Sequence, residues 1–206
     1  MKKLMWLPLL LLLTLGLGGC GTNADSPSSP PPLTENNDKP TVTPPNQPAP
    51  VPAGQSMEAL GGLRLGMTVL EVDKIMGSKY QERVEEDPGG PFREPFSVRT
   101  FPSGCDIVLG HTTGKVLQIE VYNSAFPTEM GIKVGDKSIA ALQLYRTKYP
   151  EWVGNQSPEI LPGWFETEPG ILLIYSSQVN RERSNYNLGE NSQIYSITLG
   201  YSRYFD

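Results

Sequence analysis

The stretch GLRLGMTVLEVDKIMGSKY, residues 62–80, decides the fold, because GIKVGDKSIAALQLYRTKY at residues 131–149 repeats it loosely. Average residue usage would supply about one identity by chance in a stretch of this length. Aligned without gaps, the two stretches share four identical pairs, namely Gly62/Gly131, Gly66/Gly135, Lys79/Lys148 and Tyr80/Tyr149. The chain is therefore predicted to contain an internal repeat.

The correspondence continues downstream of the two stretches. FPSG followed by CDIVLG in the first copy matches TEPG followed by ILLIYS in the second, and both patterns are typical of a strand, a tight turn and a second strand. Residues 116–121 and 194–199 then align as alternating strands, with Leu117 and Ile119 expected to face the helices. Each unit is predicted to be a short helix followed by about three antiparallel strands.

Capping signals mark the first helix more clearly than the second. Thr68 with Glu71 forms a predicted capping box, and Gly77 is a plausible C-terminal stop. For the second helix, Asp136 or Ser138 is the expected cap. The predicted core stripes at helical spacing are Val69, Val72, Ile75 and Met76 in the first helix, and Ile139, Leu142, Tyr145 and Tyr149 in the second.

The pattern GLRLGMTVLEVDKIMG resembles the start of the outer-membrane assembly lipoproteins of the SmpA/OmlA (BamE) type. Two such units in tandem resemble the arrangement of the β-lactamase-inhibitor protein (BLIP). The resemblance implies an α+β fold of two tandem helix-plus-antiparallel-sheet repeats, with the helices on one face of the sheet. It also implies a non-enzymatic role in binding another protein. The outer-membrane members generally carry one unit and the inhibitors usually carry disulfides, so β-lactamase is not carried over as the target.

The N-terminus predicts export and lipid anchoring. Lys2 and Lys3 precede an apolar run at residues 4–18, which is the length of a signal peptide and too short for a mature membrane span. LGGC at residues 17–20 resembles a lipobox, and this implies a signal peptide at residues 1–19, cleavage before Cys20, and palmitate-type acyl chains on Cys20. Two or three chains give a stable membrane anchor. An ordinary secretory signal with an incidental cysteine, or an uncleaved N-terminal anchor, is the alternative.

Residues 20–56 are predicted to be a disordered linker that begins with the lipidated cysteine. Ten of residues 21–56 are proline, interleaved with small polar residues, and such a segment cannot bury enough apolar surface to fold. We expect it to lift a domain off the extracytoplasmic face of a cell membrane. The long proline-rich stalk favours a Gram-positive surface, and an outer membrane is also permitted.

Residues 57–206 form the predicted domain, with repeat one at about 60–126 and repeat two at about 130–206. This part has 14 Lys plus Arg and 19 Asp plus Glu; the charges are scattered without a basic stripe, which argues against nucleic acid as a partner. Two cysteines in the whole chain, one of them the predicted anchor Cys20, exclude an internal disulfide framework in the mature protein.

No residue set predicts catalysis, a metal or a cofactor. His111 is the only histidine and falls in a predicted turn, so a solvated surface residue is expected. Cys105 alternates with Ile107 and Leu109, which predicts a buried structural thiol. The acidic run at residues 85–87 lacks the alternating oxygen ligands of a calcium loop.

Two features are candidates for binding a partner. The first is the strand face turned away from the helices, with Val108, Tyr122, Leu172 and Ile174; an apolar open face suggests a covered patch, and the C-terminal YSRYFD or the other sheet could instead cover it internally. The second is the long segment at residues 176–192, with Arg181, Arg183 and Tyr186, which are residue types found in hot spots. Simple disorder of this segment is the alternative.

The expected function is therefore that of a lipid-anchored, extracytoplasmic module that binds another envelope or secreted protein as an adaptor or inhibitor. One rival hypothesis is a cell-envelope enzyme that acts on wall or a small solute through carboxylates such as Asp106 and Glu120. The other rival is a structural envelope protein that associates with its own copy. The identity of the partner is not encoded in any motif of the sequence.

Overall fold

The computed structural model describes residues 51–86, 92, 94–154, 158–177 and 185–205. These residues belong to one compact unit, Pro48–Asp206. The predicted signal peptide, the anchor residue Cys20 and most of the predicted linker lie outside the described residues. Within the described ranges, no helix has both the length and the apolar character needed to cross a membrane.

Two short helices and eight strands make up the described part of the chain. In chain order they are α1 (Val69–Met76), β1 (Gln81–Glu85), β2 (Phe96–Phe101), β3 (Cys105–Gly110), β4 (Val116–Val121), α2 (Ser138–Arg146), β5 (Glu151–Val153), β6 (Ile160–Glu168), β7 (Ile171–Ser176) and β8 (Ser196–Tyr201), followed by a 3-10 turn at Ser202–Tyr204. β1 and β5 extend the sheet beyond the strands that the sequence predicted.

The strands form a single eight-stranded sheet in the order β1-β2-β3-β4-β8-β7-β6-β5, and every pairing is antiparallel. The predicted fold class of two tandem helix-plus-sheet repeats, resembling BLIP, is therefore wrong. The strands build one continuous sheet because β4 pairs with β8, for example at Ile119↔Leu199 and Val121↔Ile197. The helices, with 8 and 9 residues, are small additions to this sheet.

One hydrophobic core lies on the side of the sheet that carries the helices. α1 contributes Val72, α2 contributes Leu142 and Tyr145, and residues from all of the central strands pack against them. Val69 and Met76 are partly buried against this core. Ile75 is exposed, so its predicted place in the core stripe of α1 is wrong.

The first helix is capped as its sequence predicts. The Thr68 side chain accepts a hydrogen bond from the Glu71 backbone N–H at 3.4 Å, and the Glu71 carboxylate accepts one from the Thr68 backbone N–H at 2.7 Å. The two bonds satisfy donors that the helix leaves free. Gly77 ends the helix with φ of 75°, a conformation that favours glycine.

The second helix has no side-chain cap, so the prediction of Asp136 or Ser138 as its cap is wrong. Its N-cap is Lys137, which makes no capping hydrogen bond with its side chain. The Asp136 carboxylate instead accepts from the Lys133 backbone N–H at 2.9 Å. The Ser138 hydroxyl accepts from the Ser177 hydroxyl at 2.8 Å. Both side chains are therefore engaged outside the helix end.

A β-bulge turns Leu117 away from the helices. Val108 pairs with Gln118 and Leu109 pairs with Val116, which leaves Leu117 as the extra residue of β4. Such a residue interrupts the alternation of the strand. Leu117 consequently packs with Val108 and Tyr204 on the outer face of the sheet, whereas Ile119 joins the main core. The expectation that both residues face the helices is wrong for Leu117.

The C-terminal segment folds back over the outer face. Tyr204 packs on Val108 and Leu117, and its ring centroid lies 4.8 Å from that of Phe92. The Phe205 ring lies 5.7 Å from the Trp164 ring, and a Cβ at Gly200 would come within 2.8 Å of Phe205. The aromatic residues of this segment therefore cover apolar surface at the middle of the sheet.

Replacement of Tyr204 with alanine tests this cover. Tyr204 is buried among aromatic and aliphatic side chains, so Tyr204→Ala should lower the free energy of unfolding by about 3 kcal/mol and increase binding of a hydrophobic dye. Chemical denaturation of the purified protein measures the loss. The matched control is Tyr186→Ala, since Tyr186 is 54% exposed and its loss should change stability by less than about 0.5 kcal/mol. Equal losses of unfolding free energy in the two variants would contradict the conclusion that Tyr204 covers the outer face.

Candidate functional site

The apolar residues predicted to contact a partner are covered inside the domain. Val108, Leu172 and Ile174 are all buried. Tyr204 packs on Val108, while Phe205 contacts Trp164 and Gly200, which pair in register with Ile174 and Leu172. These three side chains therefore present no surface to a partner, in agreement with the alternative in which the C-terminal YSRYFD covers them.

The remaining predicted contact residues are Tyr122, Tyr186, Arg181 and Arg183. Tyr122 is half-buried, its hydroxyl donates to Asp106 at 3.5 Å, and its ring makes an edge contact with Tyr195. Tyr186 is exposed. Arg181 and Arg183 lie outside the described residues. Contact with a partner through Tyr122, Tyr186, Arg181 and Arg183 stays a prediction.

The two carboxylates of the enzyme hypothesis stand directly opposite each other on the outer face. Asp106 of β3 pairs in register with Glu120 of β4, and like charges in this position are destabilising. The Tyr122 hydroxyl donates to Asp106, and the Ser196 hydroxyl donates to Glu120 at 3.3 Å. These two hydrogen bonds offset part of the repulsion between the Asp106 and Glu120 carboxylates.

Cys105 and His111 lie where the sequence predicts. Cys105 is buried, and burial raises the pKa of its thiol well above the usual range, which makes it a poor nucleophile. His111 is exposed in a turn after β3. Among the described residues, no group of three or more acidic, histidine or cysteine side chains is placed to hold a metal ion.

A recess that the sequence analysis missed lies on the helix side of the sheet. We call it the Glu58 recess; it has a volume of about 230 Å³ and is lined by Met57, Glu58, Glu129, Lys148, Tyr149, Thr167 and Glu168. Its walls come from the segment before α1, the loop before α2, the residues after α2 and the end of β6. Residues far apart in sequence therefore meet at one site, where three acidic side chains accompany one lysine.

Glu58 is the buried acid of this recess, with only 3% of its surface exposed. Its carboxylate accepts a hydrogen bond from the Glu129 backbone N–H at 2.9 Å. The Tyr145 hydroxyl donates to the same carboxylate at 3.4 Å and 3.5 Å. Burial raises the pKa of Glu58 above its ordinary value, since these hydrogen bonds only partly offset the loss of water around the charge.

Glu168 and Arg64 tie the segment before α1 to the rest of the domain. The Met57 and Glu58 backbone N–H groups donate to Oε1 of Glu168 at 2.7 Å and 3.2 Å. The Arg64 guanidinium donates to the carbonyl oxygens of Ser56 and Met57 and forms an ion pair with Glu129. Met57 and Glu58 therefore hold a defined position in the wall of the recess.

The folded region begins earlier than residue 57. Ser56 is buried, and its backbone N–H donates to the Leu65 carbonyl at 3.1 Å while its hydroxyl accepts from the Leu65 N–H at 3.0 Å. Gly66 has φ of 78°, and a Cβ there would lie 2.2 Å from the Gly54 carbonyl oxygen. The close approach of the two glycines shows that the last residues of the predicted linker pack on the domain.

A buried hydroxyl group at the recess, Oγ1 of Thr167, lacks a hydrogen-bond partner among the described residues, whereas the buried hydroxyl of Tyr175 interacts with the side chains of Tyr145 and Thr128. Thr167 lines the recess. Tyr175 packs behind it, with its ring 5.2 Å from that of Tyr145, and burial raises the pKa of both tyrosines. A buried hydroxyl without a partner is uncommon in folded proteins and calls for an explanation.

Lys148 supplies a positive charge at the recess. Its Nζ lies 4.8 Å from the centre of the Tyr149 ring. The pKa of Lys148 is raised first by its interaction with the Tyr149 side chain and then by the negative charges nearby, including Glu58 and Glu129. Within the described part of the chain, Lys148 forms no ion pair within 4.0 Å. The lysine is therefore held at the aromatic wall, beside the carboxylates.

Comparison with known proteins adds no function. No protein-family model matches the chain, and no curated protein matches it. Among solved structures, the chain is similar to the uncharacterized protein yfeY from Escherichia coli, with 18% identity over 68% of this chain and 93% of that chain and a TM-score of 0.37. A likeness at this TM-score carries no argument about fold or function. The resemblance to the SmpA/OmlA (BamE) and BLIP families stays a prediction.

The pH dependence of stability tests the burial of Glu58. Because the folded-state pKa of Glu58 is raised, the folded protein binds its proton more tightly than the unfolded chain does. The contribution of Glu58 is therefore most favourable below about pH 4.5 and is lost as pH rises through the folded-state pKa. Glu58→Gln removes this titration and keeps the shape. The stability of the Gln variant relative to the natural protein should increase from pH 4.5 to pH 7.5 in denaturant unfolding. A difference that stays constant or shrinks with pH would contradict the burial.

Proposed function

We propose that the protein is a lipid-anchored, extracytoplasmic module that binds another envelope or secreted protein through the Glu58 recess. The sequence supports the address, since the lipobox-like LGGC ends at Cys20 and a proline-rich stretch follows it. Two or three acyl chains on Cys20 would anchor the chain to the outer side of the cell membrane. The proline-rich stretch would then act as the stalk of the module.

The exposed rim of the Glu58 recess is the observation that carries the proposal. Met57 is 64% exposed although it is a large apolar residue, and it lines the recess together with the half-buried ring of Tyr149. Apolar and aromatic residues around a recessed site are typical of the centre of a protein interface. The acids below the rim would add specificity to such a contact.

The size of the recess favours one side chain of a partner over a free small molecule. Sites for drug-sized ligands and cofactors have volumes of about 300–1,000 Å³. The Glu58 recess, at about 230 Å³, is smaller than that range. A partner protein would therefore insert one anchoring residue and place the rest of its contact surface on the rim.

The recess includes residues that directly follow the predicted stalk in the sequence, which suits a tethered binding module. Residues 55–58 connect the predicted stalk to the recess, and Gln55 donates to Glu71 at 2.9 Å at the start of α1. A proline-rich stalk of this length reaches between about 35 Å as a coil and about 110 Å when fully extended. The module could therefore search a layer of that depth above the membrane for its partner.

Site-specific cross-linking tests the proposal. A photo-reactive phenylalanine derivative replaces Met57 in the full-length chain, expressed in its native cell envelope. Irradiation should produce one discrete adduct with a second protein, because the rim contacts the partner directly. The adduct should disappear when Tyr149 is also replaced by alanine. Mass spectrometry of the purified adduct identifies the second protein.

The same probe at position 70 is the matched control. Leu70 is 72% exposed and apolar but does not line the recess, so its replacement should yield no such adduct. Equal adducts at positions 57 and 70, or none at position 57, would sink the proposal. An adduct between two copies of the chain would instead support the self-associating structural protein.

A further inference from the structure

We propose that the Glu58 recess binds a basic side chain of the partner, carrying an alkyl ammonium or guanidinium group. The inference rests on the proposed function and adds the chemical class of the anchoring residue. It is carried by the juxtaposition of the Glu58 and Glu168 carboxylates with the unpartnered hydroxyl of Thr167 in a recess the size of one side chain.

Glu168 offers an acceptor toward the recess. Both donors that bind it, the Met57 and Glu58 backbone N–H groups, reach the same oxygen, Oε1. In the described part of the chain no donor reaches Oε2. An ionised carboxylate accepts hydrogen bonds at both oxygens, so the arrangement leaves acceptor capacity for a donor that comes from outside.

Thr167 is a second observation, separate from the acidic side chains, that points to a polar ligand group in the recess. Only 9% of the residue is exposed, it lines the recess, and its Oγ1 has no hydrogen-bond partner among the described residues. A hydroxyl in this state loses its hydrogen bonds to water and gains none from the protein. Rotation of the Thr167 side chain toward the recess would let an inserted N–H donor satisfy the oxygen.

The donor and acceptor inventory favours a cation over other groups. Ammonium and guanidinium groups carry donors only, whereas ionised carboxylates accept only, so the two sets are complementary. A carboxylate or phosphate group would be repelled by Glu58 and Glu168, which line the recess; the charge of Glu129 is offset by its ion pair with Arg64. A purely apolar side chain would leave the Thr167 hydroxyl without a partner.

The first half of the chain shows a related combination that holds a guanidinium group. Tyr80, which aligns with Tyr149 in the sequence, has the guanidinium of Arg99 4.2 Å from its ring centre. Arg99 also donates to Asp73 at 3.1 Å and to Glu82 at 3.0 Å. A tyrosine ring and two carboxylates therefore hold a guanidinium group within this fold. Around Tyr149, Phe165 takes the place that Arg99 has in the sequence alignment.

Lys148 is the competitor within the chain. Its Nζ lies over the Tyr149 ring, and its charge lowers the attraction of the recess for a second cation. The lysine side chain is long and lies at the surface, so it can move aside when a basic residue enters. Removal of the Lys148 charge should therefore strengthen the binding of an external cation. Insertion of an apolar side chain would not depend on this charge, so the direction of the change in affinity distinguishes the two modes of binding.

Titration of the full-length protein with matched amino-acid derivatives tests the inference. The probes are N-acetyl-lysine amide and N-acetyl-arginine amide, with N-acetyl-norleucine amide as the uncharged control of similar shape. Backbone amide NMR shifts of Met57, Thr167 and Glu168 report binding. The basic probes should bind with Kd of about 1–10 mM, as expected for ligands of this size, and norleucine should bind at least about tenfold more weakly.

Three recess variants and one control variant sharpen the result. Glu168→Gln and Thr167→Val should each weaken the basic probes, by about tenfold for the charge change. Lys148→Met should tighten them, and Glu190→Gln, a surface acid outside the recess, should change nothing. The amide spectrum of each variant checks that the fold is retained. Equal binding of norleucine and lysine probes, no shift at any recess amide, or weaker binding in Lys148→Met would overturn the inference.

The outcome is separable from that of the proposed function. Cross-linking at position 57 together with absent binding of the basic probes would mean that a partner binds through another kind of residue. Binding of the basic probes together with absent cross-linking would mean that the recess takes a cation but that the module has no protein partner at this rim. The first result would contradict only the basic anchoring residue, and the second would contradict only the protein partner at this rim.

Discussion

The pairing of β4 with β8 is the interaction on which the rest of the structure depends. Four residue pairs join the strands, namely Gln118↔Gly200, Ile119↔Leu199, Glu120↔Thr198 and Val121↔Ile197. β1 to β4 lie on one side of this junction and β8 to β5 on the other. Without the junction, each set of four strands would expose the backbone groups of a long central edge. With it, Val72 of α1 and Tyr145 of α2 pack into one core.

The Glu58 recess exists because the segment before α1, residues 56–58, contacts elements from both halves of the sheet. Ser56 binds Leu65 ahead of α1. Two residues later, the Glu58 carboxylate accepts from the Tyr145 hydroxyl of α2, and the Glu58 backbone N–H donates to the Glu168 carboxylate at the end of β6. These contacts place a carboxylate in a buried position, where its charge is unfavourable. Hydrogen bonds from Tyr145 and from the Glu129 backbone offset part of that cost.

Local signals in the sequence predicted local structure well. The Thr68/Glu71 capping box and the stop at Gly77 are confirmed, as are the buried thiol of Cys105 and the exposed turn position of His111. Each of these depends on a few neighbouring residues, since helix capping and strand alternation have short range. The burial of Val108, Leu172 and Ile174 depends on Tyr204 and Phe205 in the C-terminal YSRYFD. The sequence offered this cover only as an alternative, because no periodicity reports how the segment docks.

The arrangement of the strands and the recess required information that a sequence pattern does not carry. The repeat indicated β2 to β4 and β6 to β8, but it did not indicate β1, β5 or the shared edge of β4 and β8, so two units were expected where one sheet forms. The bulge in β4 places Leu117 on the outer face of the sheet, whereas simple alternation had assigned it to the helix face. Glu58 and Glu168 stand 110 positions apart and meet only through the tertiary fold. The identical pairs Lys79/Lys148 and Tyr80/Tyr149 were the signals in the sequence that pointed near the site.

Native-state hydrogen exchange across the junction tests the single sheet most directly. Hydrogen-bonded amides at residues 118–121 and 197–200 should exchange only when the whole domain unfolds, with the same free energy and the same denaturant dependence as protected amides in β3 and β7. Exchange of the junction amides at a much lower free energy, while β3 and β7 stay protected with different free energies, would show two separate units and contradict the account.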